Sequence, residues 1–246
     1  MSEDHRSKPT TEVSDFAGVL LPMDGGQPPV IVGGHAVNLW SMYFLSKRVA
    51  GLAAFLPFTS KDLDLVGTVD LLERLHRELK GKLTRSAPRS PVLGRLEILS
   101  QSGEMLRIEV LHTVKGLDFK ELNRTIDLQI GDVFGRVLLP HLVLKAKIEN
   151  SISIDQTERN DVKHVSMMLI CVRSFVSELV GQVGTSKLGE RPLVNLLGEV
   201  WNIATSQHAE KATKLWGIDF REVWPMEELK MSGSEKVARW LEHRLV

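Results

Sequence analysis

Two aspartates separated by one residue, Asp62 and Asp64 in the stretch DLDL, are the side chains of this sequence best suited to chemistry. On a β-strand both project from one face, while Leu63 and Leu65 face the core. Two carboxylates held this close repel each other unless water or a hard cation such as Mg²⁺ lies between them. The pair therefore predicts either an ordinary solvent-facing strand or a magnesium site.

A glycine pair precedes these aspartates in the stretch VIVGGHAV. Gly33 and Gly34 follow a short β-branched run at 30–32, which predicts a buried strand, and they precede a helical pattern over 35–52. Backbone N–H groups at the start of a helix favour phosphate oxygens, and glycine has no Cβ to obstruct them. The glycine pair therefore predicts either a tight turn or a phosphate site completed by the aspartate pair.

This order of parts, VIVGGHAVNL followed by FTSKDLDL, resembles the nucleotidyltransferase superfamily of polymerase β type. Within it, the wide spacing from Gly34 to Asp62 is similar to the AbiEii-like branch of abortive-infection toxins, and also to aminoglycoside nucleotidyltransferases. The resemblance extends over roughly 29–170. It implies an α+β fold in which a nucleotidyltransferase-like mixed sheet with helices is followed by a helical C-terminal half.

The resemblance also implies a third carboxylate on a later strand. Glu109 in LRIEV is the candidate, and Glu97 in RLEIL is the weaker one. With Asp62 and Asp64, Glu109 would hold two Mg²⁺ ions and complete the catalytic group. A glutamate stands here where aspartate is commoner in the family.

Nucleotide contacts are implied at four further places. Gly33 and Gly34 would contact phosphate oxygens, and Lys147 would add a fixed positive charge, with Lys145 as the alternative. Asp161 matches an aspartate at the start of the next helix. The sequence departs from the branch at two positions: Phe58 occupies a place that is often basic, so that Lys61 is the candidate to supply that charge, and His164 occupies a place that is often acidic. The alternatives without a functional role are an exposed lysine on a helix for Lys147 and, for Asp161, a charge that the helix dipole favours at the start of a helix.

The implied activity is magnesium-dependent transfer of an NMP from an NTP to an acceptor hydroxyl, with Glu109 or Asp161 taking the proton. The acceptor is left open among tRNA, a protein and a small molecule. The branch implies a toxin-like role and an antitoxin protein as a possible partner. The alternative is a weak or inactive module that keeps the fold and binds a nucleotide or a protein partner.

Periodicity outlines the elements that must position these residues. A strand is expected at 62–67, a helix at 68–81, and two hairpins that turn at Ser102-Gly103 and at Gly131-Asp132. From Pro140 onward the periodicity is helical throughout. We therefore expect a flexible segment at 1–28, a nucleotidyltransferase-like domain at 29–139 and a helical domain at 140–246.

Composition narrows the class of protein. The 246 residues carry no net charge and one cysteine, Cys171, which argues against a global basic field, an internal disulfide and a multi-cysteine zinc site. The single cysteine suggests a reducing compartment, so a cytoplasmic location is expected. No apolar run reaches the about 20 residues of a membrane span and no signal peptide is predicted, so no membrane partner is expected. The basic stretch at 80–95 is interpreted as a solvated loop or, alternatively, as a phosphate or RNA contact.

Overall fold

The computed structural model describes residues 10–20, 28–100, 103–185 and 187–244. Contacts divide the chain into two compact units. Unit 1 comprises Met1–Ser46 and Leu56–Leu139, and unit 2 comprises Lys47–Phe55 and Pro140–Val246. The helical half therefore includes a short segment from the N-terminal part of the chain, which the predicted boundary at 139/140 does not anticipate.

Unit 1 is built on one mixed sheet of seven strands. The strands are β1 (Val30–Val32), β2 (Leu63–Val66), β3 (Lys82–Arg85), β4 (Val92–Leu99), β5 (Met105–Leu111), β6 (Thr125–Ile130) and β7 (Val133–Leu138). Their order across the sheet is β3-β4-β5-β2-β1-β7-β6. The pairs β1/β7 and β2/β5 are parallel, and the remaining neighbours are antiparallel.

Alternation along the strands makes one face of the sheet apolar. Leu63 and Leu65 on β2 are fully buried, as the sequence predicts, and they pair in register with Ile108 and Val110 of β5, which are also fully buried. The intervening residues of β2 and β5 are half-buried and include Asp64 and Glu109. The sheet thus presents a polar face on which Asp64 and Glu109 lie.

The described part of unit 1 has four α-helices beside the sheet, namely α1 (Ala17–Leu20), α2 (Gly33–Ser46), α3 (Val69–Leu79) and α4 (Phe119–Leu122). Helix α2 is buried along most of its length, and its Trp40 donates its indole N–H to the Leu138 carbonyl of β7 at 2.9 Å. A buried helix that begins directly at the end of β1 fixes the position of the glycine pair relative to the sheet.

Two features of unit 1 differ from the expectations. Residues 13–20 are helical and bury Val13 and Phe16 completely, whereas the sequence predicts a flexible segment over 1–28; residues 1–9 and 21–27 lie outside the described residues. Part of the basic stretch at 80–95 is not loop: Lys82–Arg85 form the edge strand β3, which pairs with the start of β4 in an antiparallel arrangement. Of the predicted turn at Ser102-Gly103, only Gly103 is described, with φ +83°.

Unit 2 consists of helices. They are α5 (Pro140–Ser153), α6 (Asp161–Gly184), α7 (Glu190–Ala204), α8 (Gln207–Trp216), α9 (Met226–Lys230) and α10 (Glu235–Arg244), with short 3₁₀ turns at Leu52–Phe55 and Phe220–Val223. Helix α6 contacts α5, α7, α9 and both turns, and it buries Cys171. The predicted fold class, a mixed sheet with helices followed by a helical C-terminal half, is confirmed.

Helix α6 is long and apolar enough, by length and composition alone, to cross a membrane. Half of its apolar stretch over Asp161–Val183 is buried within the protein. The core helix of a helical bundle has the same composition, because it is surrounded by other helices.

Candidate active site

The glycine corner between β1 and α2 is occupied by the side chain of Asp64. Gly33 is the first residue of α2 and has φ +66°. A Cβ at this position would lie 1.8 Å from Asp64 Oδ2 and 2.7 Å from Asp64 Cγ. Only glycine therefore fits here, both for its backbone conformation and for the approach of the carboxylate. The glycine is required by Asp64, while a phosphate contact at Gly33 and Gly34 stays a prediction.

Register places Asp64 beside the third predicted carboxylate. Val32, Asp64 and Glu109 are successive partners across β1, β2 and β5. Partners directly opposite each other share a face, and neighbouring strands lie about 4.8 Å apart. Asp64 and Glu109 therefore stand side by side on the polar face, at the end of β1 where α2 begins.

Glu109 is held in an ion pair by Arg95 of β4. Arg95 is the register partner of Glu109, donates Nε–H to its Oε1 at 2.9 Å, and contacts the same oxygen through a terminal guanidinium nitrogen. The bond to Glu109 raises the pKa of Arg95 against an opposing effect of burial, and the charges of Glu109, Asp62 and Glu97 raise it further. Two predicted cation ligands, Glu109 and Asp62, thus act electrostatically on Arg95.

Asp62 and Lys61 lie just outside the regular strand. Strand β2 begins at Leu63, one residue later than predicted, so that both side chains belong to the bend that leads into the strand, and both are half-buried. A bridge anchors this bend: the Thr11 N–H donates to the Ser60 carbonyl at 2.7 Å, and the Ser60 N–H donates back at 2.9 Å. The segment before the aspartate pair is therefore tied to the N-terminal part of the unit.

Thr11 also connects this bend to the glycine corner. Its hydroxyl donates to the Ser60 carbonyl at 2.9 Å and lies 3.3 Å from Nε2 of His35. Because the hydroxyl proton is directed at Ser60, His35 Nε2 is the donor. His35 is fully buried with Phe16 against its ring, and burial lowers its pKa to about 3. His35 is thus a neutral structural residue. This is the usual role of a histidine at the start of a helix.

The donor set determines which cation these residues fit. Asp62 and Asp64 offer carboxylate oxygens, the ligands that Mg²⁺ prefers, and the space at Gly33 admits the Asp64 carboxylate at the start of α2. Within residues 10–20, 28–100, 103–185 and 187–244, no three His, Cys, Asp or Glu side chains are grouped closely enough to hold a metal. A magnesium ion at the aspartate pair stays a prediction, and a third ligand from Glu109 would require its release from Arg95.

Two further predicted residues, Lys147 and Asp161, lie in unit 2 and bind each other. Both are buried, and Lys147 Nζ lies 2.7 Å from Asp161 Oδ1. Arg159 Nε donates to Asp161 Oδ2 at 2.6 Å. Burial raises the pKa of Asp161, but Lys147 and Arg159 outweigh burial and lower it to about 2. A carboxylate with so low a pKa is a poor general base.

His164, where the branch often has a second acid, lies on the next turn of α6. It is buried, and burial together with the nearby charge of Lys147 lowers its pKa well below the ordinary value, although Asp161 acts in the opposite direction. The neutral imidazole therefore supplies no negative charge in place of a carboxylate.

Sequence reasoning missed three side chains that hold these residues: Arg95 on Glu109, Arg159 on Asp161, and Thr11 on His35. Arg95 left a signal, because Arg95/Glu109 and Glu97/Arg107 lie symmetrically about the predicted hairpin turn and both pairs carry opposite charges. The other two depend on loop conformations that a sequence does not specify.

Comparisons with known proteins give a distant similarity. No protein-family model matches the chain, and no curated protein is significantly similar to it. Among solved structures, the chain is similar to an antigenic nucleotidyltransferase-like protein from Paracoccidioides brasiliensis, with a TM-score of 0.38 and 17% sequence identity. The alignment covers 57% of this chain and 66% of that protein, slightly less than two thirds of its length.

Proposed function

We propose that this chain is a magnesium-dependent nucleotidyltransferase that transfers an NMP from an NTP to an acceptor hydroxyl. One observation carries the proposal. The Asp64 carboxylate lies against Gly33 at the junction of β1 and α2, with Glu109 its direct neighbour on parallel strand β5. Side by side at the start of a helix, these groups combine cation ligands with backbone donors for phosphate.

Each group has a place in the transfer. Asp62 and Asp64 would hold Mg²⁺, which when bound neutralises negative charge on the triphosphate. Gly33 and Gly34 would donate N–H groups to phosphate oxygens at the start of α2. The acceptor oxygen forms a bond to the α-phosphorus, the bond to the bridging oxygen of pyrophosphate breaks, and the acceptor proton passes to a carboxylate.

Glu109 is the proposed base. It lies beside Asp64 and is paired with Arg95, whereas Asp161 is paired with two cations, Lys147 and Arg159, which lower its pKa to about 2. The bond to Arg95 fixes the orientation of Glu109, because two nitrogens of the guanidinium contact one carboxylate oxygen. Lys61 and Lys147 remain proposed contacts to nucleotide phosphates, and release of Lys147 from Asp161 would be needed for that contact.

The test is a transfer assay with α-labelled NTPs and Mg²⁺, in cell lysate to find the acceptor and then with that acceptor purified. We expect the double variant Asp62→Asn and Asp64→Asn to lose transfer by at least about 10³-fold, as expected when interactions with the charges of the transition state are removed. The matched control is Asp132→Asn, which makes the same change at an exposed turn of the same unit. Equal transfer by the double variant and the control would refute the assignment.

The Arg95–Glu109 pair favours a second candidate, a module with this fold that binds nucleotide without turnover. In that case Arg95 would permanently take the place of a cation beside Glu109. Calorimetry with NTP and Mg²⁺ separates the two candidates, since release of pyrophosphate after binding supports the enzyme and binding alone supports the module. The sequence resemblance further motivates an antitoxin partner and a cytoplasmic location, which co-purification and cell fractionation would test.

A further inference from the structure

The sheet of unit 1 has two edge strands, β3 and β6, which differ in how they are protected from pairing with another chain. Strand β3 has four residues, and its exposed Lys82 and Arg85 are the kind of charged side chains that discourage such pairing. Strand β6 has six residues, Thr125–Ile130, without lysine, proline or a bulge, and no other described strand pairs with its outer side. Its backbone is therefore able to accept a further strand.

The turn after β6 determines which of its backbone groups face outward. Strands β6 and β7 are joined by the two-residue turn Gly131-Asp132, in which Gly131 has φ +57°. The pair that flanks such a turn, Ile130 with its β7 partner, is hydrogen-bonded, and pairs with and without hydrogen bonds alternate from there. Asp127 and Gln129 belong to pairs without hydrogen bonds. Their N–H and C=O groups therefore point away from β7, toward the free edge.

The single charge of β6 is compensated within the strand pair. Arg136 of β7 donates Nε–H to Asp127 Oδ1 at 2.7 Å and a terminal N–H to Oδ2 at 3.1 Å. On the opposite face of β6, Ile126 is 37% exposed, Leu128 is buried and Ile130 is half-buried. An edge with a compensated acid and an exposed isoleucine lacks the repulsion that would keep a second copy away.

The residues of β6 are complementary to themselves in one antiparallel register. In this register Leu128 lies opposite its counterpart in the second copy, and Ile126 lies opposite Ile130. On the polar face Asp127 lies opposite Gln129, so that an amide meets a carboxylate and the outward backbone groups of both residues become hydrogen-bonded partners. A shift by two residues, which keeps the faces aligned, either places Asp127 opposite itself or leaves only the end of the strand paired.

We propose that two copies of this chain associate through β6, paired antiparallel about a two-fold axis at Leu128, so that their sheets join into one continuous sheet. The axis is perpendicular to the sheet, and the polar faces of both copies therefore lie on the same side. Asp64 is on β2, three strands from β6, so the two candidate sites would lie on one face, on the order of 30 Å apart. The association does not depend on the proposed nucleotidyl transfer.

Sedimentation equilibrium of the full chain, without NTP or Mg²⁺, tests the association over about 1 to 500 µM, a range suited to a small interface. We expect dimers whose fraction rises with concentration, and association at least about tenfold weaker in Gln129→Pro, because proline lacks the N–H that faces the edge. The pairing with β7 does not use that N–H, so the variant should stay folded, which thermal unfolding checks. The matched control is Gln129→Ala, which keeps the N–H and should associate within about threefold of the wild type.

Disulfide crosslinking tests the register. A mixture of Asp127→Cys chains and Gln129→Cys chains should form interchain disulfides on oxidation, because hydrogen-bonded partners have Cα atoms about 5.5 Å apart. Each variant alone should crosslink far less, and the native Cys171 is buried. The matched control is a mixture of Asp127→Cys and Thr84→Cys, the latter at an exposed position of the other edge strand, which should stay uncrosslinked.

Four outcomes would overturn the proposal. The first is a chain that is monomeric over the whole range of concentration, and the second is equal association of Gln129→Pro and Gln129→Ala. The third is crosslinking of Asp127→Cys with itself in preference to the mixture, which contradicts the register. The fourth is a chain that is monomeric by itself while Gln129→Pro loses a different protein that co-purifies with the wild type, which assigns the edge to that protein.

Discussion

Replacing Gly33 with alanine should separate the two requirements that this position meets. The backbone has φ +66°, which costs a residue with a Cβ about 1–2 kcal/mol. In addition, the new Cβ would lie 1.8 Å from Oδ2, 2.7 Å from Cγ and 2.9 Å from Cβ of Asp64. Rotation of the Asp64 carboxylate relieves only the first contacts, so the strand itself must shift, at a further cost of about 1–3 kcal/mol.

Gly131→Ala is the matched control, because Gly131 has φ +57° and its added Cβ would meet no atom within 4 Å. We expect Gly131→Ala to lower the free energy of unfolding of unit 1 by about 1–2 kcal/mol, and Gly33→Ala to lower it by about 2–5 kcal/mol. Hydrogen exchange at amides of β1 and β2 measures this free energy for unit 1 alone, which matters because a chain of two units need not unfold in one step.

A double-mutant cycle with Asp64→Ala tests whether the excess arises from the carboxylate. With Oδ2 and Cγ removed, only the contact at 2.9 Å remains, so Gly33→Ala should cost at least about 1 kcal/mol less in that background. Equal costs for Gly33→Ala and Gly131→Ala, together with additive effects of Gly33→Ala and Asp64→Ala, would refute the placement of Asp64 against Gly33.

Three other perturbations follow from the remaining contacts. Because burial lowers the pKa of His35 from 6.5 to about 3, the unfolded state binds the proton first as pH falls, and unit 1 should lose about 2 kcal/mol between pH 6.5 and pH 5 by hydrogen exchange. Lys147→Met leaves Asp161 with one cation fewer in a buried site and should cost roughly 3 kcal/mol in urea unfolding. Arg95→Gln removes the cation beside Glu109 and should tighten Mn²⁺ binding about tenfold by electron paramagnetic resonance.

Each of these has a control or an outcome that would contradict it. His35→Gln should lack most of the loss between pH 6.5 and pH 5, and an unchanged pH dependence would contradict the buried neutral imidazole. Lys211→Met, at an exposed position of α8, should leave the free energy of unfolding in urea almost unchanged. If Lys147→Met changed it as little as Lys211→Met does, the buried ion pair would be contradicted. Unchanged Mn²⁺ affinity in Arg95→Gln would mean that Glu109 lies outside the reach of the cation.

The sequence predicts the helices and strands well because the pattern of apolar residues that defines each one lies within its own segment. The alternation in DLDL predicts that Leu63 and Leu65 are buried, and both are. The break between strands and helices near Pro140 is likewise visible as a change of period. By contrast, the order of strands is nonlocal: the placement of β2 between β1 and β5 brings Asp64 beside Glu109, and no property of either segment specifies that neighbour.

Side-chain partners were the hardest part to predict. The sequence predicts separate roles for Lys147, a phosphate contact, and Asp161, a possible base. Their bond to each other depends on how α5 packs on α6. A residue type and its place in a motif describe what a side chain can do. Its charge state depends on neighbours such as Arg159, which tertiary structure brings within reach.

The short segment Lys47–Phe55 has a consequence for dissecting the protein. Leu52 of this segment is fully buried, and its turn packs on α6 of the helical unit. The chain therefore enters the helical unit at 46/47, returns to the sheet unit at 55/56 and enters the helical unit again at 139/140. A truncation that ends at Leu139 would retain the segment but remove the helix that covers it, exposing an apolar turn. Expressing the sheet unit by itself therefore calls for a hydrophilic bridge from Ser46 to Leu56 in place of the natural residues.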